Sequence, residues 1–213
     1  MKVGILGSGD VAKTLGAGLL KHGHSVMLGT RDPSKLAAWK AKHPGAQVGT
    51  FEQAATSGEA LVLAVKGDAA LEVLRLAGAR SLAGKVVMDT TNPIAPAPPV
   101  NGVLRYFTTL DDSLMERLQK AYPDVHFVKA FSSVGNARMV NPQYAGGPPT
   151  MFICGNDHAA KRTVTEILDQ FGWETLDLGT VEAARAIEPL CILWCLPGFL
   201  QNEWTHAFKV LHA

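Results

Sequence analysis

Short apolar runs alternate with segments of helical periodicity along the first ninety residues of the chain. Runs dense in Val, Leu, Ile and Ala are typical of strands that are buried on both faces. Five such strands are predicted, at 2–6, 25–28, 47–49, 60–65 and 85–89. Apolar residues at spacings of three and four predict helices between them, over 10–23, 33–42, 51–56 and 69–79. This alternation predicts an α/β fold, a parallel sheet with helices on both of its faces.

The pattern loosens after residue 90, where proline becomes frequent. The stretch TNPIAPAPPVNG carries prolines at 93, 96, 98 and 99. Proline fixes φ and donates no backbone hydrogen bond, so we expect a stiff, extended loop without regular structure. That loop is either a rigid lid over a site or an inert crossover. A second loop of this kind, NPQYAGGPP, spans 141–149.

The remaining segments regain the alternation and end in an apolar tail. Helices are predicted over 111–121 and 157–171, and strands over 125–130, 151–154 and 173–178. Because no repeat or flexible linker divides the chain, we expect one domain over 1–213, in which 181–213 is a mostly helical tail. A helix break is expected at Pro197-Gly198. The tail is too apolar to face solvent, so we expect it to cover the sheet or to form a symmetric homodimer contact.

Composition excludes some classes of partner. The net charge of +1 gives no electrostatic case for nucleic acid or for an anionic membrane surface. We see no run of about 18 apolar residues, so no membrane span is expected, and the apolar opening is too short for a signal peptide. The three cysteines, Cys154, Cys191 and Cys195, lack metal-site spacing, so we expect no metal and three buried thiols in a reducing cytoplasm.

The loop GSGDVA follows the first predicted strand and opens the first predicted helix. Gly7 and Gly9 supply a tight turn and a close backbone approach, and Ala12 replaces the third glycine of a dinucleotide fingerprint. The free N–H groups and the positive end of the helix dipole then face a pyrophosphate. In this strand–turn–helix context, the motif predicts a dinucleotide site.

The end of the second strand predicts which dinucleotide binds. An NAD enzyme usually places Asp or Glu there to accept the ribose hydroxyls. This chain has Thr30 and Arg31 instead, and Lys35 lies one turn further on. Arginine pairs bidentately with phosphate, so these residues favour the 2′-phosphate of NADP. Asp32 precedes Pro33 and is interpreted as a helix N-cap rather than as a displaced ribose ligand.

Four segments together resemble a known family: GILGSGDVAKTLGAGLLKHGHSVMLGTRDPSK, VVMDTTNPI, FVKAFSSVGNARMVNP and ICGNDHAAKR. They resemble the NADPH-dependent F-420 (deazaflavin) reductases, also called coenzyme F-420-dependent NADP oxidoreductases. The same module is similar to the cytosolic domain of the six-transmembrane metalloreductases. The resemblance implies a Rossmann-type, doubly wound fold with a small C-terminal helical part, usually dimeric.

The resemblance also implies roles for particular residues. Hydride would pass between NADP(H) and a small-molecule acceptor, coenzyme F-420 or a flavin. Asn92 would lie near the nicotinamide, and Ser132 to Asn136 would form the wall of the acceptor site. Ser132-Ser133 and Lys66 depart from the family's usual residues. The predicted cofactor contacts are Gly7, Ser8, Gly9, Asp10, Val11, Thr30, Arg31, Lys35, Ala64, Val65, Lys66, Asn92 and Ser133.

No catalytic residue is assigned, because hydride transfer between stacked rings needs positioning more than side-chain chemistry. Ser132, Ser133 and Asn136 are the candidates for hydrogen bonds to the acceptor. Two other readings remain open: an NADP(H) sensor that turns nothing over, and a reductase of a small imine or carbonyl, or of ferric chelates through a flavin. An imine reductase would need a proton donor such as His126, which we interpret as an ordinary histidine. The tryptophans at 194 and 204 are interpreted as packing residues.

Overall fold

The computed structural model describes residues 1–211, and its centre is a six-stranded, fully parallel sheet. The spatial order is β3-β2-β1-β4-β5-β6. Strand β1 lies between β2 and β4, with Leu6 opposite Gly29 on one side and Leu63 on the other. The strands are β1 (Lys2–Leu6), β2 (Ser25–Gly29), β3 (Gln47–Gly49), β4 (Ala60–Leu63), β5 (Val86–Asp89) and β6 (His126–Lys129).

Helices cover both faces of this sheet, and each face has its own apolar core. One core contains Leu15 of α1 and Leu168 of α7. The other contains Ala54 of α3, Leu74 of α4 and Leu118 of α6. The predicted doubly wound fold is confirmed. The helices are α1 (Asp10–Lys21), α2 (Ala37–Lys42), α3 (Phe51–Ser57), α4 (Ala70–Ala77), α5 (Ala79–Leu82), α6 (Leu114–Ala121), α7 (His158–Gln170), α8 (Ala184–Ile187) and α9 (Leu190–Gln201).

A small second sheet extends the fold beyond β6. Strands β7 (Thr150–Ile153) and β8 (Glu174–Asp177) pair in parallel around α7. An antiparallel bridge between Lys129 and Cys154 joins the end of β6 to the end of β7. The sheet as a whole is therefore mainly, but not entirely, parallel.

Two predicted helices have different limits in the structure. The segment 69–79 divides, because Gly78 adopts φ 85° and separates α4 from α5. Helix α6 begins at Leu114 rather than at 111. Its start is set by a capping box, in which the Ser113 hydroxyl accepts from the Glu116 N–H and the Glu116 carboxylate accepts from the Ser113 N–H.

The proline-rich stretch is more regular than we predicted. Residues 93–107 form an irregular β-hairpin, with bridges between Ile94 and Tyr106 and between Val100 and Val103. Its tip is Asn101-Gly102, where both residues have positive φ, 49° and 81°. An Asn-Gly pair with this geometry is typical of a tight hairpin turn. The prolines are tolerated because none of them has to donate: Pro93 takes part only as an acceptor, from the Phe107 N–H at 2.9 Å.

The predicted helix break at Pro197-Gly198 is wrong, because α9 runs through both residues and ends at Gln201. Proline removes only one N–H from the helix. The missing N–H would have donated to the carbonyl of Leu193. Leu193 is 53% exposed, so the lost hydrogen bond lies on the exposed side of α9 and not in the core. Asn202 then ends the helix in a left-handed conformation. The remaining tail is extended along β7, where the Phe208 carbonyl accepts from the Thr150 N–H at 2.9 Å.

The tail also contains a segment that the sequence reading missed. Val181–Gln201 is long and apolar enough, by length and composition, to cross a membrane, and 33% of its apolar window is buried. Glu182, Arg185 and Glu188 interrupt the apolar run, which is why it was overlooked. The core helix of a soluble protein meets the same criterion, so the criterion alone assigns no membrane.

Candidate active site

A cleft of about 460 Å³ opens at the carboxyl ends of β1, β2 and β4. Ligands of doubly wound folds bind at this position, where the strand order reverses. Eleven of the thirteen predicted cofactor residues line the cleft, and Asn92 and Ser133 do not. The cleft is lined by Gly7, Ser8, Gly9, Asp10, Val11, Thr30, Arg31, Asp32, Lys35, Phe51, Ala64, Val65, Lys66, Ala69, Glu72, Val73, Leu76 and Thr90.

The two glycines of the loop have different physical reasons for lacking a side chain. A Cβ on Gly7 would lie 2.1 Å from the Ala64 carbonyl oxygen, so Gly7 is required by the packing of β1 against β4. A Cβ on Gly9 would meet nothing within 4 Å. Gly9 is the N-cap of α1 and provides no side-chain cap, so the first N–H groups of α1 are left for an anion in the cleft.

At the end of β2, the side chains of Thr30 and Asp32 are held in place by local hydrogen bonds. The Thr30 hydroxyl lies 3.3 Å from Ser8 Oγ and accepts from the Asp32 N–H at 3.2 Å. The Asp32 carboxylate accepts from the Ser34 N–H at 3.0 Å and from its hydroxyl at 2.6 Å, which lowers the pKa of Asp32. The predicted N-cap role of Asp32 is confirmed, and both hydrogen bonds of the cap are accepted by its Oδ1.

Across the cleft, Glu72 on α4 is a lining residue that sequence reasoning missed. Its carboxylate pairs with Arg75 at 2.7 Å. The hydrogen bond from Arg75 lowers the pKa of Glu72, and the positive charge of Arg31 adds a smaller effect in the same direction. Arg31 and Glu72 both line the cleft. Glu72, Val73 and Leu76 all line the cleft from α4. Their helical spacing places them on one face of the helix, and this is the signal by which the sequence could have identified Glu72.

The acceptor-side candidates lie beyond this cleft, after β5 and β6. Asn92 Oδ1 and Ser132 Oγ are buried, and neither has a hydrogen-bond partner within residues 1–211. Ser133 is also buried, whereas Asn136 is exposed at the start of a short 3₁₀ helix. Just before them, Phe131 adopts φ 62°, which is strained for a bulky side chain. Buried polar atoms without partners and strained backbone call for an explanation, and a ligand that pairs with the atoms is one such explanation.

The tail packs against this region through aromatic side chains. Trp194 lies against Gly135, where a Cβ would approach its ring to 2.6 Å. Its indole stacks on His206 and donates to the His206 carbonyl at 3.1 Å. Trp204 covers Gly198 and packs edge-on against Phe199. Both tryptophans are packing residues, as the sequence analysis interpreted them.

A buried ion network was not predicted. It lies beneath the segment Thr91-Asn92-Pro93, which follows β5 and is called the TNP turn below. Lys129 Nζ lies 2.6 Å from Asp89 and 2.9 Å from Glu188, and all three side chains are at most 1% exposed. Burial alone would lower the pKa of Lys129, but the two carboxylates raise it above its ordinary value. Asp89 and Lys129 each end an apolar strand. A charged residue in that position was the sequence signal for a buried ion pair.

His126 is far from the acceptor candidates, because it starts β6 and they follow its end. Its ring lies 3.9 Å from Asp157, and its side chain is 41% exposed. The structure therefore removes His126 from the candidate proton donors. Within the described part of the chain, no cluster of three or more His, Cys, Asp or Glu side chains could hold a metal ion.

The cysteines differ in their burial. Cys154 and Cys191 are buried as expected, but Cys195 is only half-buried on α9. Burial raises the pKa of the Cys154 thiol to about 12, so this thiol stays protonated and unreactive.

Comparison with known proteins places this geometry in a family. Residues 2–93 match the family model for NADP oxidoreductase, coenzyme F420-dependent. A crystal structure from Arthrobacter sp. FB24, named for an F420-dependent NADP reductase, is 32% identical, with a TM-score of 0.93 over 100% of both chains. A Streptomyces aurantiacus imine reductase is 20% identical, with a TM-score of 0.69 over 94% of this chain and 63% of that one, and shares the fold.

The chain also resembles part of longer proteins. It is 34% identical over 204 residues to the rat metalloreductase STEAP3, a match that covers 93% of this chain and 39% of that protein. The chain thus spans about two-fifths of the metalloreductase. Together with the full-length match to the Arthrobacter structure, these findings show that the chain belongs to the coenzyme F420-dependent NADP oxidoreductase family and is an NADP-dependent oxidoreductase.

Proposed function

We propose that the protein transfers hydride between NADP(H) and a planar heterocyclic acceptor, coenzyme F420 or a flavin. The observation that carries the proposal is the positive charge at the ribose end of the cleft. Its ribose end presents Arg31 and Lys35, and the carboxylate of Asp32 is engaged in a helix cap. This arrangement favours a 2′-phosphate over a free ribose hydroxyl.

In this proposal the cleft binds the dinucleotide from one end to the other. The uncapped N-terminus of α1, with Gly7 to Val11, holds the pyrophosphate. Thr30, Arg31 and Lys35 hold the 2′-phosphate, and Ala64, Val65 and Lys66 line the path toward the nicotinamide. The nicotinamide supplies the hydride chemistry when it is bound.

The acceptor side supplies hydrogen bonds and excludes water. The unpartnered Asn92 Oδ1 suits the amide N–H group of a nicotinamide carboxamide, because an oxygen acceptor needs a donor. Ser132 Oγ, with Ser133 beside it, suits the polar edge of an acceptor ring. Both assignments are supported by the cost of leaving a buried polar atom unpaired.

We further propose that the chain acts as one cytoplasmic domain and forms a homodimer through its tail. The support is an exposed apolar face on α9, with Leu193 at 53%, Phe199 at 44% and Leu200 at 62% exposure. The three free thiols are consistent with a reducing compartment.

A second candidate is the reduction of ferric chelates through a bound flavin. It is favoured by the 34% identity to a metalloreductase over 93% of this chain. The two candidates share the NADPH site and differ only in the acceptor.

The test is NADPH oxidation by the purified protein, followed by loss of reduced-nicotinamide absorbance. The acceptors are F420, FMN, FAD, a quinone, a cyclic imine and a ferric chelate with and without FMN. Turnover with F420 or a free flavin supports the first proposal, and turnover that requires both flavin and ferric chelate supports the second. Tight NADPH binding without any turnover would contradict both and indicate a sensor.

A further inference from the structure

The ion network of Asp89, Lys129 and Glu188 makes a concentrated set of contacts with one neighbouring residue, Thr91. Asp89 Oδ1 accepts from the Thr91 N–H at 2.9 Å and from its hydroxyl at 2.6 Å. Lys129 Nζ donates to the Thr91 carbonyl at 2.9 Å. Every polar group of Thr91 is therefore held by the network, and the next residue along the chain is Asn92.

Glu188, the third residue of the network, connects the TNP turn to more distant segments. The Glu188 carboxylate accepts from the N–H groups of Leu114 and Met115 at 3.0 Å each, at the start of α6. Its backbone carbonyl accepts from the Tyr106 hydroxyl at 2.7 Å. Tyr106 belongs to the far arm of the hairpin, so the residues of the network contact both ends of the hairpin, the start of α6 and the connection between α8 and α9.

Burying three charges is an expensive way to hold a fold together. An apolar cluster of the same volume is often as stable as a buried ion network, or more so. Such a network does, however, specify one geometry, because every charge must keep its partners. Here Asp89 and Lys129 together hold the N–H, the hydroxyl and the carbonyl of Thr91, the residue that precedes Asn92.

We infer that Asp89, Lys129 and Glu188 are positioning residues that fix Asn92, and with it the nicotinamide, for hydride transfer. This inference rests on the proposed function, which places Asn92 at the carboxamide. None of the three side chains reaches the cleft, since all are at most 1% exposed. They act through Thr91, and the geometry they hold should affect the transfer step more than the binding of NADPH.

The first test variant is Asp89→Asn, whose amide has only one acceptor oxygen. With that oxygen on the Lys129 ammonium, the amide nitrogen faces the Thr91 N–H, and the hydrogen bonds that hold Thr91 are lost. Three quantities are measured: amide hydrogen exchange of the peptide 90–93 without ligand, the Kd for NADPH, and kcat with whichever acceptor supports turnover in the NADPH oxidation assay. We expect exchange at Thr91 and Asn92 to rise about tenfold or more and kcat to fall about tenfold, with Kd within about threefold.

A second lysine–aspartate pair provides a control away from the site. Asp177→Asn removes a carboxylate charge from the Lys161–Asp177 pair in the small sheet, which has a 2.8 Å contact and in which Asp177 is 45% exposed. It should leave exchange at 90–93 and kcat unchanged. A second variant, Lys129→Arg, keeps the buried charge but not the geometry, and replaces Asp89→Asn if that variant folds poorly. It too should lower kcat and leave the Kd for NADPH unchanged.

Unchanged exchange and kcat in folded Asp89→Asn and Lys129→Arg proteins would overturn the inference. So would equal losses in these variants and in Asp177→Asn, since that pattern reports general destabilisation. A wild-type protein that binds NADPH but reduces nothing would defeat the proposed function alone. The exchange measurement and the emission of bound NADPH would then decide whether the network orders Asn92.

Discussion

The two halves of the proposed site differ in how the chain builds them. The half at the ends of β1 and β2 uses residues 7–35, which are close in sequence and lie on consecutive elements. The half at the ends of β5 and β6 is assembled from the TNP turn, the hairpin, the segment after β6 and the tail. The first half ends in exposed charges, and the second contains buried polar atoms.

This difference indicates what each half contributes. Exposed charges on a regular scaffold can bind an anion and cost little when the site is empty. Buried atoms without partners, such as Asn92 Oδ1 and Ser132 Oγ, cost stability until a ligand pairs with them. We therefore expect substitutions in the first half to change affinity, and substitutions in the second half to trade stability against turnover.

The largest expected effect is in the glycine loop, with Gly7→Ala. The added Cβ would lie 2.1 Å from the Ala64 carbonyl oxygen, and the backbone at both positions would have to move. We expect a loss of several kcal/mol of stability, on the order of 3 kcal/mol, as for other overpacked sites. Thermal or urea unfolding measures it.

Gly9→Ala separates packing from binding in the same loop. Its Cβ meets nothing within 4 Å, so the Tm should not change. NADPH affinity should fall, because the pyrophosphate must approach this backbone closely. Equal Tm losses for the two variants would contradict this separation, because Gly9 would then also be required by the fold.

The next largest effect is expected for Arg31→Ala. Loss of a charge-assisted contact to phosphate should weaken NADPH binding by about 2 kcal/mol, or roughly thirtyfold. NADH lacks the phosphate, so its Kd should change less than about threefold. Titration of both dinucleotides by nicotinamide fluorescence measures this difference.

Lys35→Ala is the control at the same end of the cleft, and should give a smaller loss in the same direction because lysine provides a point charge rather than a fork. Equal weakening of NADPH and NADH by Arg31→Ala would contradict the 2′-phosphate assignment and leave Arg31 as a general contact.

The first half of the site could be read from the sequence because its geometry is local. A glycine turn between a strand and a helix dictates where the helix N-terminus points, and the end of the next parallel strand must lie beside it. Thr30, Arg31 and Lys35 follow from that rule alone.

The second half could not be read in this way. The Asp89–Lys129 contact joins residues 40 apart, and Glu188 arrives from the tail. The hairpin was missed because four prolines obscured an Asn-Gly turn, and the helix through Pro197 was missed because proline only weakens an exposed helix. The ion network depends on tertiary packing, which local periodicity does not report, whereas the Asn-Gly pair was a local hairpin signal.

A smaller effect, with opposite signs on stability and activity, is expected for Ser132→Ala. The hydroxyl is 3% exposed and has no partner in the described chain, so its removal should raise stability by up to about 1 kcal/mol. If Ser132 contacts the acceptor, kcat/KM for the acceptor should fall three- to tenfold, a loss of about 1 kcal/mol. Urea unfolding and steady-state kinetics test the two parts.

Ser113→Ala is the matched control, since Ser113 is equally buried but satisfied by the capping box of α6. It should lower stability by about 1 kcal/mol and leave acceptor kinetics unchanged. A stability loss in both serine variants would mean that the Ser132 hydroxyl is paired in solution without any ligand.

The smallest effect concerns the second, more exposed ion pair that ties the tail to α6, in which Arg185 contacts Glu116 at 2.6 Å. The hydrogen bond from Arg185 lowers the pKa of Glu116 below its ordinary value of 4.5 in the folded protein. The stabilisation is therefore present above pH 4.5 and is lost as the pH falls through the folded pKa. With Arg185 40% exposed, solvent screening should limit the effect to about 2 °C in Tm.

Arg185→Met should remove this pH dependence between pH 5 and 3, about the ordinary pKa of glutamate, while keeping the apolar stem of the side chain. At neutral pH its Tm should lie slightly below that of the wild type, and at pH 3 the two should converge. Salt should narrow the difference at neutral pH, because an exposed pair is screened whereas the buried Lys129 network is not. A wild-type Tm that falls no faster than that of Arg185→Met would show that the Arg185–Glu116 pair contributes no measurable stability.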